Sequence, residues 1–212
     1  MSGSVAVPPS VKIPQQKRSR EKFKAMLRAA EKLFAEQGIP QTSVQQIVEA
    51  AGVSIGAFYQ RFENKDALIH TIFYLLEDEL SPLLAALETS EGQSLEQTIE
   101  LVTSNSIKFY SKRRGVFLAL LLAVQENPQI REYVSQLRTK LTVSFTGALE
   151  QYKDEIGSRR FKTAAAMSSR ILESYLDQSI IWADHPATEA NLKYKASDKE
   201  LVRVILAYLT HS

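Results

Sequence analysis

Apolar residues recur along most of the chain at intervals of three and four, the spacing of one face of an α-helix. The first such stripe comprises Met26, Ala29, Ala30, Leu33 and Phe34. Gly38 follows where a helix end favours a left-handed residue, so the pattern predicts a helix over roughly residues 18–37. Only 8 glycines and 7 prolines are available for turns, and alternating strand patterns are rare. The predicted fold class is therefore all-α.

Three more helices are predicted before residue 82. The second spans about two turns, and two capping boxes fit its start, Thr42 with Gln45 or Ser43 with Gln46. Gly52 ends it, and a third short helix follows from about Ser54 to Arg61. Behind a cap at Asn64, the fourth is expected to run from Lys65 to about Leu80, where Pro82 stops it.

The rest of the chain predicts amphipathic helices separated by breakers, at about 94–110, 115–126, 129–154, 159–183 and 197–209. Ser94 with Gln97 and Ser197 with Glu200 have the spacing of capping boxes at two of these starts. Residues 184–196 are expected to form a loop. Residues 1–16 contain three prolines and no helical period, which predicts a disordered tail.

Charge is divided unevenly along the chain. Residues 1–70 carry ten Lys/Arg and six Asp/Glu, a net of +4, whereas residues 71–212 carry sixteen and eighteen, a net of −2. The segment Lys17–Lys24 holds five basic residues and one acid. Such a run fits either a solvated helix end or attraction to phosphate.

Several function classes lack their usual signatures. The chain has no cysteine, no Gly-x-Ser-x-Gly, no phosphate-cradling Gly-rich loop and no His-Glu-x-x-His, and its histidines (His70, His185, His211) form no metal-ligand pair. We therefore expect that the protein is not an enzyme and that it has no cofactor and no metal site. No signal peptide is evident, and the longest apolar run, Gly115–Val124, is too short to span a bilayer, which favours a cytoplasmic location.

Two short helices joined at a glycine, behind a longer helix, are typical of a helix-turn-helix, here over residues 42–61. The second short helix of that motif lies in the major groove of DNA. The segment 29–68 resembles the DNA-binding region of the tetracycline-repressor (TetR) family of bacterial transcription regulators. The matching features are Ala-Ala…Leu-Phe…Gly from Ala29, Thr42-Ser43-Val44 before Ile47, the Ala-Gly-Val-Ser turn, Gly56, Phe58-Tyr59, Phe62 and Lys65.

The resemblance implies these DNA-contacting residues: Thr42, Ser43, Ser54, Ile55, Gly56, Ala57, Tyr59, Gln60 and Lys65. Hydroxyls at the start of the second helix and a lysine at the start of the fourth suit phosphate, and a glycine lets backbone approach DNA closely. Ile55 fits two places, the small core or a thymine methyl, and Tyr59 fits a phosphate or a half-buried site. Ala57 and Arg61 depart from the commonest family residues, threonine and tyrosine or histidine.

The resemblance also implies three parts: a tail (1–16), a helix-turn-helix domain (17–64) and a helical ligand-binding and dimerisation domain (65–212). A homodimer is expected through the helices at about 159–183 and 198–209, and it would favour a palindromic site on double-stranded DNA. Candidate ligand-pocket residues are Phe73, Phe109, Phe117, Leu121, Gln125, Phe145 and Tyr175.

The expected function is a repressor released from DNA by a small, mainly apolar effector. The alternative is a helix-turn-helix protein without a small-molecule effector, controlled by protein partners or acting architecturally.

Overall fold

The structure is a computed structural model, and it describes residues 14–88, 94–156, 159–181 and 194–210. Among those residues there are helices, turns and bends but no strand, which confirms the all-α prediction. The helices are α1 (Lys17–Gln37), α2 (Val44–Ala51), α3 (Ile55–Tyr59), α4 (Lys65–Glu88), α5 (Leu95–Lys112), α6 (Arg114–Ala123), α7 (Pro128–Leu149), α8 (Lys153–Ile156), α9 (Phe161–Ile181) and α10 (Tyr194–Thr210), with a 3-10 turn at Glu150–Tyr152.

Contacts divide the chain into two compact units. Among the described residues, the first comprises those up to Glu79 together with Leu118–Tyr133, and the second comprises those of Leu80–Phe117 together with those from Val134 onward. In the first unit α1 packs on α2, and four residues of the predicted α1 stripe are buried while Leu33 is half-buried. Aromatic rings complete this small core, with Phe62 stacked 5.8 Å from Phe23 and tilted 5.2 Å from Phe58.

In the second unit, α5, α9 and α10 pack against one another. The capping box predicted for α5 is present, since Ser94 Oγ accepts from the amide of Gln97 at 3.2 Å and Gln97 Oε1 accepts from the amide of Ser94 at 3.0 Å. A buried hydrogen bond of 2.8 Å joins the hydroxyls of Thr98 and Tyr152. Among the helices as far as they are described, none has the length and apolar character needed to cross a membrane.

Two predicted helix boundaries are wrong. Helix α4 does not stop at Pro82 but continues to Glu88. A proline inside a helix removes one amide donor at a cost of about 3 kcal/mol. Leu80 is buried and Leu83 and Leu84 are half-buried, so apolar contacts on both sides of Pro82 act against that cost.

The last helix begins at Tyr194, so Ser197 lies inside its first turns and is not its N-cap. Tyr, Lys and Ala are compatible with helix, and no breaker separates them from Ser197. Most of the predicted loop at 184–196 lies outside the described residues, as do residues 1–13 of the predicted tail.

Candidate DNA interface and ligand cavity

Of the two possible capping boxes at the start of α2, the structure contains the one formed by Ser43 and Gln46. Ser43 Oγ accepts from the amide of Gln46 at 3.2 Å, and Gln46 Oε1 accepts from the amide of Ser43 at 2.8 Å. Thr42 is buried instead, and its hydroxyl donates to the carbonyl of Gly38 at 2.8 Å while accepting from Gln37 at 3.2 Å. Ser43 is thus exposed at the helix start, and the Thr42 hydroxyl helps to hold the turn before it.

The corner between α2 and α3 is built on Gly52, which adopts the left-handed conformation with φ 63° and ψ 37°. The amide of Val53 donates to the carbonyl of Val48 at 3.0 Å, which closes the end of α2. Ser54 then caps α3, its hydroxyl accepting from the amide of Ala57 at 3.2 Å. Local backbone chemistry therefore ends α2, forms the corner and starts α3.

Helix α3 presents different chemistry on its two faces. Phe58 is fully buried, whereas Ile55 is 43% and Tyr59 56% exposed. A side chain at Gly56 would meet nothing within 4 Å, so the backbone there is open to solvent. Ile55 is therefore not a core residue. The exposed face of α3 carries Ile55, Gly56 and Tyr59, and Gln60, which follows the helix, is also exposed.

The side chain of Lys65 makes contacts that the sequence did not predict. Its Nζ donates to the carbonyls of Ile39 and Thr42, each at 2.9 Å. The ammonium group thus holds the turn between α1 and α2, which accounts for a lysine in the first turn of α4 despite the unfavourable helix dipole. Asn64 caps α4 as predicted, with Oδ1 accepting from the amide of Ala67 at 2.9 Å.

Arg61 forms a second connection that the sequence did not indicate. Its guanidinium donates to the hydroxyl of Ser19, 42 residues away and near the start of α1. Exposed basic residues surround Ser19 along α1, among them Lys17, Arg18 and Lys24. The basic run therefore lies beside the end of α3, where positive charge can attract phosphate.

A cavity of about 50 Å³ lies within the second unit, with room for a few water-sized molecules. Its lining consists of Leu80, Leu83, Leu84, Val102, Asn105, Ser106, Phe109, Tyr110, Leu141, Phe145, Ser169, Leu172, Glu173 and Leu176. Most of this lining is hydrocarbon, with a small polar part contributed by α5 and α9. Among the predicted pocket residues, Phe109 and Phe145 are part of the lining.

The other five predicted pocket residues do not line this cavity. Phe73 stacks on Tyr133 at 4.2 Å, and Phe117 stacks on Tyr110 at 3.8 Å. The hydroxyl of Tyr175 donates to Asp198 at 2.8 Å. Leu121 is half-buried and Gln125 is exposed. These candidates were the apolar and aromatic residues of the predicted helices together with one polar residue, Gln125. Helical periodicity does not distinguish residues that line a cavity from residues that fill the core.

Glu173 is the carboxylate in the cavity wall. Its Oε1 accepts from the hydroxyls of Ser169 at 3.0 Å and Thr142 at 3.4 Å, and its Oε2 lies 4.0 Å from Nε of Arg138. Arg138 also donates to Asp177. Burial raises the pKa of both carboxyls above their ordinary values, and burial beside these carboxylates raises the pKa of Tyr110. In the part of the chain that is described, no group of His, Cys, Asp and Glu is arranged to hold a metal ion.

Comparison with known proteins agrees with this geometry. Residues 26–72 match the model of bacterial regulatory proteins of the tetR family, and residues 94–209 match the tetracyclin repressor-like C-terminal domain. YerO of Bacillus subtilis, an uncharacterized HTH-type transcriptional regulator, is 24% identical over 169 residues, or 74% of this chain. The match spans about half, 55%, of the length of YerO.

Solved structures share the fold. Salmonella enterica GusR superposes with a TM-score of 0.68 at 21% identity, covering 94% of this chain and 100% of GusR. FadR from Bacillus subtilis, in complex with stearoyl-CoA, superposes with a TM-score of 0.65 at 17% identity, covering 88% of this chain and 98% of FadR. Together, the two matched domains, the helix-turn-helix and the all-α fold establish that this chain belongs to the tetracycline-repressor family of DNA-binding transcription regulators.

Proposed function

We propose that this protein is a repressor that binds a palindromic DNA operator as a homodimer and is released by a small, mainly apolar ligand. The observation that carries the DNA-binding part is the division of α3 into a buried face, at Phe58, and an exposed face with Ile55 and Tyr59. An exposed apolar side chain beside an open glycine suits contact with base edges, not with the protein core. We place this activity in the cytoplasm, where bacterial DNA is found.

In this proposal different residues of the interface contact the bases and the phosphates. Ile55 and Ala57 contact bases, while the hydroxyls of Ser43, Ser54 and Tyr59 bind phosphates. Gln60, at the end of α3, is available to either. Lys65 and Thr42 act mainly by holding the turn that presents Ser43, because their polar atoms bond to backbone carbonyls.

The dimer is proposed to form through α9 and α10. Both helices bury one face within their own unit, at residues such as Leu172 and Ile205. On their other faces Met167, Ile181 and Val204 remain 45%, 50% and 52% exposed. Apolar side chains exposed on adjacent helices suit a two-fold interface. Such a dimer would present two α3 helices to half-sites about 34 Å apart.

Effector release is proposed to act through α4. Its first residue, Lys65, holds the turn before α2, and Leu83 and Leu84 near its other end line the cavity. A ligand that enters the cavity and displaces α4 would change how the recognition helices are presented. Because such coupling is reciprocal, DNA would weaken ligand binding by the same factor that the ligand weakens DNA binding.

The regulator proposal is tested with a palindrome drawn from the promoter of the protein's own gene. Fluorescence anisotropy at several salt concentrations should give tighter binding to this palindrome than to a random duplex of equal length. The logarithm of the affinity should fall linearly with the logarithm of salt concentration, as expected when phosphate contacts release counterions. Equal affinity for the two duplexes at every salt concentration would reject sequence-specific binding.

A further inference from the structure

The cavity of the second unit combines a hydrocarbon lining with a carboxylate, Glu173. The side chain of Glu173 is only 13% exposed. One carboxylate oxygen, Oε1, accepts from two hydroxyls, whereas Oε2 lies beyond hydrogen-bond distance from Arg138, at 4.0 Å. Since an ionised carboxylate accepts about four hydrogen bonds, Glu173 retains capacity for a donor.

The charges around Glu173 leave an excess of negative charge. Arg138 donates to Asp177, so the guanidinium is shared between two carboxyl groups, and with both carboxyls ionised the three groups together carry a net charge of −1. Arg138 is also the most exposed of the three, with a side chain 41% accessible against 21% for Asp177. Its positive charge is therefore screened by solvent more than the charge of Glu173.

This arrangement discriminates between ligands by charge. An anionic head group brought to Glu173 would meet like charge in a poorly solvated site, and a neutral hydroxyl would form an ordinary hydrogen bond. A protonated amine would form a charge-assisted bond and would stabilise the ionised carboxylate, whose pKa burial raises.

We propose that the cavity selects a small cationic amphiphile, an apolar body bearing a protonated amine that donates to Glu173. The inference rests on the proposed function, because it names the class of effector that this site takes. It sets the chain apart from FadR, which was solved with stearoyl-CoA, a ligand with an anionic phosphate-bearing group. Because the cavity holds only a few water-sized molecules, the ligand is small or displaces side chains such as Leu83 and Leu84.

Two matched series of ligands test the charge preference. Phenethylamine, phenethyl alcohol and phenylacetate share an aromatic body, and hexylamine, hexanol and hexanoate share an alkyl chain. Isothermal titration calorimetry on the full chain without DNA should give amine binding at least about tenfold tighter than alcohol binding, and no detectable binding of the carboxylates. Absence of amine binding in both series, or tighter binding of either carboxylate, would overturn the proposal.

Variants connect the preference to Glu173. Glu173→Gln should reduce the amine-to-alcohol ratio to about one, whereas the matched control Glu150→Gln, an exposed glutamate of the same unit, should leave it unchanged. At a pH where both carboxyls stay ionised, Arg138→Gln should strengthen amine binding, because it makes the cluster more negative, and this holds even if the first variant folds poorly. An unchanged amine preference in folded Glu173→Gln, or weaker amine binding in Arg138→Gln, would contradict the assignment.

Operator binding measured on the same preparations separates the two proposals. Palindrome preference without amine binding would remove the effector assignment alone. Amine selectivity without palindrome preference would remove the regulator proposal and leave the ligand class intact.

Discussion

Gly52 and Gly56 stand four residues apart and serve different purposes. Gly52 has a positive φ of 63°, a conformation that costs an L-residue roughly 1–2 kcal/mol. Gly56 is helical, and a methyl group there would meet no atom within 4 Å. Nothing in the described part of this chain excludes a side chain at position 56, so any constraint on that position would come from the DNA that α3 is proposed to contact.

Replacing Gly56 by alanine should leave the fold intact and weaken DNA binding. Alanine favours helix over glycine, so we expect the free energy of unfolding to rise by up to about 1 kcal/mol. The added methyl group would separate the backbone from the groove and lower operator affinity at least about tenfold. Gly147→Ala, at another helical glycine with open space, is the control and should leave affinity unchanged. Denaturant melts and anisotropy measure both quantities, and full operator affinity in Gly56→Ala would contradict close backbone approach.

Tyr59 tests the phosphate contact. Tyr59→Phe removes only a hydroxyl from a side chain that is 56% exposed, so stability should change little. Affinity for the palindrome and for random duplex should fall together, by roughly threefold to tenfold, because phosphate contacts carry no sequence information. Tyr74→Phe, at an exposed tyrosine of α4, is the matched control. A loss confined to the palindrome would instead assign Tyr59 to base recognition.

Ile55 is proposed to contact bases, so its replacement should affect binding to the palindrome and not binding to random duplex. Its exposed side chain has hydrocarbon but no hydrogen-bonding group, so it can discriminate a thymine methyl and cannot bind phosphate. We expect Ile55→Ala to lower affinity for the palindrome several-fold and to leave random-duplex affinity unchanged. Competition with single-base variants of the operator measures this shift, and an equal loss on all sequences would reject base contact by Ile55.

The raised pKa of Glu173 predicts a pH dependence of stability. Because burial raises this pKa in the folded state, the folded chain holds a proton that the unfolded chain releases, and stability is lost as pH rises from about 4 through the folded pKa. Glu173→Gln should make this decline shallower, and Asp177 should account for part of what remains. Urea denaturation at a series of pH values measures the slope, and an identical slope in the variant would contradict this origin.

At the scale of elements, the turn between α1 and α2 depends on a residue from a third helix. Nζ of Lys65 bonds to two carbonyls of that turn, and the hydroxyl of Thr42 bonds to a third, so these three carbonyls have donors. This arrangement positions Ser43 at the start of α2. The short helices therefore depend on α4 for their orientation.

Replacing Lys65 by alanine should destabilise the protein as well as weaken DNA binding. Hydrogen bonds to a charged donor are lost at part-buried carbonyls, so we expect a loss of about 1–3 kcal/mol in the free energy of unfolding. Lys32→Ala removes a lysine whose side chain is 75% exposed and should change stability by less than about 0.5 kcal/mol. Thermal and urea melts provide the comparison. Unchanged stability together with weaker DNA binding would indicate instead that Lys65 contacts a phosphate directly.

The sequence was sufficient where structure is local. Caps at Ser94 and Asn64 and most of the stripe of α1 follow from neighbouring residues, whereas at the start of α2 the sequence left Thr42–Gln45 and Ser43–Gln46 as alternatives. It failed where distant packing decides, as at Pro82, beyond which α4 continues through leucines that line the cavity. The partners of Lys65 and Arg61 lie 23 to 42 residues away and have no local signal. For the same reason, Phe109 and Phe73 were indistinguishable as pocket candidates, although only Phe109 lines the cavity.

At the scale of the whole molecule, the proposed operator needs two copies of α3, and therefore a dimer. Val204→Glu places a charge on the exposed apolar face of α10, and burying it at an interface should raise the dimer dissociation constant at least about tenfold. Val143→Glu, at a valine that is 65% exposed on α7, is the control and should leave the mass unchanged. Sedimentation at micromolar concentration measures the mass. A dimeric Val204→Glu protein would remove α10 from the interface.

Pro82 also has a consequence for the kinetics of α4. With no amide hydrogen at Pro82, the carbonyl four residues earlier, at Asp78, has no donor within the helix, and the hydrogen-bond ladder has a gap one turn long. Local opening should therefore begin there, so the amides after Pro82 should exchange with deuterium faster than those around Leu68 and Leu76, both fully buried. Leu83 and Leu84 line the cavity and belong to the segment that opens first. A ligand in the cavity would therefore slow the exchange of the amides after Pro82 and leave the exchange of those around Leu68 and Leu76 unchanged.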